Sequence, residues 1–130
     1  MAGTTIRMTA SKQLTLEKIH ETLHRIKRVE SISKTVQEIG GVQIWVLAYE
    51  RYYFRIGGYA SATIVLTERE DTQSACIVAS GGGEGAVNYS WGANRNFAKD
   101  CVEVMLRCGF TPVESDPDTR GKPFSERFSK

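Results

Sequence analysis

The sequence predicts an α+β fold: an antiparallel meander sheet of four or five strands, with an N-terminal and a C-terminal helix packed on one face. Three observations predict it. Leu16, Ile19, Leu23 and Ile26 recur at spacings of three and four, the period of an amphipathic helix. Several segments dense in β-branched and aromatic residues follow, separated by short turn signals, and short turns make neighbouring strands antiparallel. The helical period then returns in Phe97, Cys101, Val104, Met105 and Cys108. Helices at the two ends of a run of strands are expected to lie together on one face of the sheet.

Residues 1–13 are polar and weakly patterned and read as a loose leader. Thr15 is positioned to cap the first helix, which carries Glu17 and Glu21 early and basic residues late, as the helix dipole favours. From Ser31 the period changes, and Ile32–Ile39 reads as a strand. The pair Gly40 and Gly41 supplies the positive φ that a two-residue hairpin needs. Val42–Phe54 is the strongest strand signal in the chain. Gly57 and Gly58 turn it into Ser61–Glu68, and the segment Arg69–Gln73 leads on to Ser74–Ser80. After the glycine-rich segment Gly81–Gly85, Val87, Tyr89 and Trp91 alternate with other residues and predict a short fifth strand. Asn94 would then cap the second helix, and Gly109 would end it as a C′ glycine. The result is a single domain over 14–110. The stretch 111–130 holds all three prolines and many charges without periodicity, which predicts a mobile tail.

At 130 residues and 41% hydrophobic, the chain is long enough to bury one modest core. A net charge of +2 does not suggest nucleic acid, because Arg25, Lys27 and Arg28 form the densest basic run and fall near a helix C-terminus. Cys76, Cys101 and Cys108 are odd in number, form no C-x-x-C pair and lie in apolar segments. Together with the lack of a leader-like or membrane-length apolar run, they point to a reducing, cytoplasmic setting.

The sharpest chemical signal is His20-Glu21-Thr22-Leu23-His24, which matches the H-E-x-x-H pattern of zinc metalloproteases. There His20 and His24 would bind the metal and Glu21 would activate water. Four features oppose that reading. At about 100° per residue, His20 lies roughly 80° and His24 roughly 120° from the centre of the apolar stripe, and Glu21 points nearly opposite it. Lys18 and Arg25 flank the motif, where zinc proteases carry uncharged residues. Lys27 and Glu30 stand where the longer motif needs Gly and His, and no third His exists. Finally, the helix precedes the strands instead of following them.

A second candidate is a small-ligand site. Gly81, Gly82, Gly83 and Gly85 follow a strand, as phosphate-cradling loops do, but about ten residues separate them from the predicted helix and no P-loop Lys follows. Glu50 shares its parity with Val42, Ile44, Val46 and Ala48, the side assigned to the helices, so it would be a half-buried carboxylate with Arg51, Arg55 or Arg95 as partner. The opposite parity places Trp45, Leu47, Tyr49 and Tyr53 on the uncovered side. Such an aromatic patch predicts a homodimer through the sheet face.

The series Tyr49-Glu50-Arg51-Tyr52-Tyr53-Phe54-Arg55, a plain third strand, the glycine loop and Trp91–Phe97 resembles a small cytoplasmic bacterial domain family of unknown function, over roughly residues 14–108. The resemblance implies no activity. The reading that follows is a non-catalytic intracellular domain without cofactor. It acts by self-association and by binding a protein or small ligand, with no nucleic acid or membrane partner. The rival reading is a zinc-dependent metallohydrolase.

Overall fold

A computed structural model describes residues 3–53, 58–81 and 87–113, with no side-chain description for Tyr53 or for 87–95. Six strands and two helices follow in the order β1 (Gly3–Ser11), α1 (Leu16–His24), β2 (Val29–Ile39), β3 (Val42–Tyr53), β4 (Gly58–Arg69), β5 (Thr72–Gly81), α2 (Val87–Arg107) and β6 (Thr111–Pro112). The strands form one antiparallel sheet in the order β2-β3-β4-β5-β1-β6. The fold is therefore α+β with an antiparallel sheet, as the sequence predicts, but with six strands.

The N-terminal segment is a correction. Gly3–Ser11 is no loose leader: it is β1, inserted between β5 and β6, with Ile6 opposite Ile77 and Met8 opposite Ala75. Ile6 and Met8 are fully buried, so the domain begins well before residue 14. The predicted fifth strand at Val87–Trp91 is the first part of α2, and Asn94 lies inside that helix. At the other end, Thr111 and Pro112 pair with β1 and the Val113 amide donates to the Arg7 carbonyl at 2.9 Å, so the start of the predicted tail belongs to the sheet. Residues 114–130 lie outside the described residues.

The local devices at the element ends follow from the residues. Thr15 caps α1, its hydroxyl accepting from the Lys18 amide at 3.1 Å. Gly40 and Gly41 have φ of 57° and 81°, the pair of positive values that a type I′ hairpin requires. Gly109, at φ 94°, ends α2: its amide donates to Leu106 and that of Phe110 donates to Met105, the two bonds of a Schellman cap. A Cβ at Gly109 would also sit 2.9 Å from the Gln13 side chain.

The core lies between the helices and one face of the sheet. Leu16, Ile19 and Leu23 of α1 and Phe97, Cys101, Val104 and Met105 of α2 are buried. They meet the side of the sheet that carries Trp45, Leu47 and Tyr49 of β3, Ala62, Ile64 and Leu66 of β4, and Ala75, Ile77 and Ala79 of β5. The expected assignment of faces is therefore inverted. Val46 is 36% exposed, and with Ile44, Ala48 and Glu50 it belongs to the uncovered side. Both parities of β3 are apolar, so alternation alone could not choose between them. β4 does choose, because its register sets Trp45 beside Leu66 and Leu47 beside Ile64, while Thr63, Val65 and Thr67 take the open side.

Candidate functional site

Two polar clusters sit where the helices meet the sheet, and a third region, the β2 edge, lies beyond them. In the first cluster the buried Tyr49 hydroxyl reaches Nδ1 of His20 at 2.6 Å, the tautomer deciding which of the two donates. Burial, with the neighbouring Lys34 second, holds the His20 imidazole below its ordinary value of 6.5, against the pull of Glu17 and Glu21. Burial also pushes the Tyr49 phenol well above its usual range, so the phenol keeps its proton. Lys34 of β2 reaches across to Glu17 of α1 at 3.0 Å and stands 4.9 Å from the centroid of the Trp45 ring.

His20 and His24 stack nearly parallel, with centroids 6.1 Å apart and an interplanar angle of 11°, and His20 Nδ1 is engaged by Tyr49. His24 and Glu21 are exposed, and Glu21 lies 3.9 Å from Lys18. Among the described residues, no group of three or more His, Cys, Asp or Glu is placed to hold a metal ion.

In the second cluster Arg51 pairs with Asp100 of α2 at 2.6 Å and lies 5.6 Å from the centroid of the Phe97 ring. Glu50 and Arg51, expected to share a ligand site, leave β3 on opposite faces. Glu50 stands opposite Glu30 and Ser61 on the open face. Gly81 closes β5 opposite Ala60. Gly82, Gly83, Gly85 and the side chains of Arg95 and Tyr53 lie outside the described residues. The proposed interface residues Trp45, Leu47 and Tyr49 are 8%, 0% and 1% exposed beneath the helices, so they belong to the core and offer no surface to a partner. Cys101 is buried between the clusters, and that burial pushes its thiol up to about 12, which leaves it a poor nucleophile.

Both clusters read as anchors that fix each helix to the sheet. Sequence reasoning missed the Tyr49–His20 and Arg51–Asp100 contacts because both depend on which side of β3 the helices cover.

The third region is the edge strand β2, which touches α1 through the Lys34–Glu17 pair but stays largely uncovered. Ten of the eleven residues of β2 are exposed, including Ile32 at 53%, Val36 at 49% and Ile39 at 60%. The opposite sheet edge is short: β6 has two residues, one of them Pro112, which has no N–H to offer. The open face between the edges is diluted by hydroxyls. One row across it runs Ser33, Ala48, Thr63, Val78, Thr5 and the next Thr35, Val46, Val65, Cys76, Arg7. Among the described residues, no helix is long and apolar enough to cross a membrane.

Residues 1–108 match one protein family, described as a family of unknown function (DUF6054). No curated protein matches the chain.

Proposed function

Since the chain belongs to this family of unknown function, membership brings no activity with it, and we propose from the geometry that the protein is a non-catalytic domain working by self-association. The observation that carries this reading is the exposure of β2. It carries large exposed apolar side chains on a sheet edge that no strand among the described residues pairs with, a combination that soluble monomers avoid. The polar clusters support the non-catalytic half of the reading. His20, Tyr49, Arg51 and Asp100 are bound to one another across element boundaries, and the one thiol near them is held protonated.

Light scattering on the purified chain tests the proposal. Self-association gives a mass of about twice 14.5 kDa at high micromolar concentration, falling on dilution. A mass of one chain throughout that range refutes it.

A further inference from the structure

The β2 edge also carries a register. A two-residue I′ hairpin closes on a hydrogen-bonded pair, here Ile39 and Val42 flanking Gly40 and Gly41. Pairs alternate along an antiparallel ladder, so the amides and carbonyls of Thr35, Gln37 and Ile39 point into β3. Those of Lys34, Val36 and Glu38 then point outward, towards the free edge. The register shift between Ser31 and Ser33 interrupts the strand below, and the Gly40 turn ends it above. What remains is a segment of unbroken register, Ser33–Ile39, whose midpoint is Val36.

We infer that two copies of this chain pair antiparallel through Ser33–Ile39 of β2, with Val36 opposite Val36 of the other copy on the two-fold axis. The inference rests on the self-association reading and adds its geometry. Three features select it. In this register the outward groups of Lys34, Val36 and Glu38 meet the same outward groups of the second strand, so the ladder continues from one sheet into the other. Lys34 lies opposite the second copy's Glu38 and Glu38 opposite its Lys34, two cross-strand pairs of opposite charge. Val36, exposed on one copy, gains an apolar neighbour. Lys34 retains donors for a second carboxylate while bound to Glu17, because an ammonium has three. Moving the axis to Thr35 sets Glu38 against Ile32 and runs the ladder into the irregular stretch. Moving it to Gln37 sets Val36 against Glu38. Neither shift gives the charge pairing.

The test uses the full chain. In this register Thr35 and Gln37 of the second copy form a non-hydrogen-bonded pair, with Cα atoms about 4.5 Å apart, inside the range a disulfide spans. The double variant Thr35→Cys with Gln37→Cys should be trapped almost wholly as a covalent dimer on mild oxidation, while either single variant stays at the wild-type level. Val36→Pro supplies the second arm. Its lost N–H points away from β3, so the fold and its cooperative melting survive, but the mass falls to that of one chain. A wild-type dimer whose double-cysteine variant does not cross-link overturns this register and leaves self-association standing. A dimer that persists in a folded Val36→Pro variant overturns the edge pairing itself. A wild-type chain that is monomeric overturns both.

Discussion

β2 and β3 are neighbours joined by a two-residue turn and similar in length, yet they do different work. β3 buries Trp45, Leu47 and Tyr49 under two helices, and its backbone is paired on both sides. Among the described residues β2 is paired on one side only, and ten of its residues are exposed. The difference is one of position in the sheet rather than of composition, because both strands carry apolar residues on both of their faces. Side chains under the helices fix the fold, while the apolar side chains of β2 at Ile32, Val36 and Ile39 stay exposed.

This contrast sets the sizes of the expected effects. The largest belongs to β3. Leu47→Ala removes a fully buried side chain and should cost about 2–5 kcal/mol in denaturant unfolding, independent of protein concentration. Val36→Ser on β2 should cost under about 1 kcal/mol by the same measurement at low concentration. If the two losses prove equal, the separation between a structural and an interacting strand fails.

Tyr49→Phe sharpens the comparison within the core. It keeps the ring but deletes the hydroxyl bound to His20, and should cost about 0.5–1.5 kcal/mol. The same contact has a pH signature. The folded His20 titrates below its ordinary value, so the unfolded chain binds the proton more tightly. The stability arising from this group is fully present above pH 6.5 and is lost as pH falls through the folded titration. Proton NMR should place the His20 midpoint below 6.5. Lys34→Gln should raise it without restoring it fully, because burial is the larger cause. A midpoint at or above 6.5 in the wild type would contradict the buried contact.

The remaining effect is read in association. Lys34→Glu places like charges across the paired strands and should weaken the dimer about tenfold in Kd. Lys34→Glu combined with Glu38→Lys reverses both charges and should recover most of that loss. Sedimentation equilibrium across a dilution series measures it.

Much of the fold is legible in the sequence because its punctuation is strong. Thr15, the Gly40–Gly41 pair and Gly109 each occupy the role their chemistry predicts. β1 escapes notice because its buried positions are Ile6, Met8 and Ala10, of which only Ile6 is a strong strand former, and because its partners are β5 and β6, distant in sequence. The face of β3 is illegible in isolation, since Val42, Ile44, Val46 and Ala48 rival Trp45, Leu47 and Tyr49 in apolarity; only the register with β4 separates them. That single inversion turned core residues into an expected interface and hid the Tyr49–His20 and Arg51–Asp100 contacts. The orientation of the His20–His24 segment was legible: the stripe of Leu16, Ile19 and Leu23 turns inward and leaves Glu21 and His24 exposed.

The most direct test of the central claim is amide hydrogen exchange along β2, residue by residue, at low and high protein concentration. The amides of Thr35 and Gln37 bond to β3 and should be protected at both concentrations. Those of Lys34, Val36 and Glu38 point outward and should exchange rapidly in dilute solution, then become protected as the chain associates. Rapid exchange of these three at every concentration, beside steady protection of Thr35 and Gln37, would show that the β2 edge pairs with nothing.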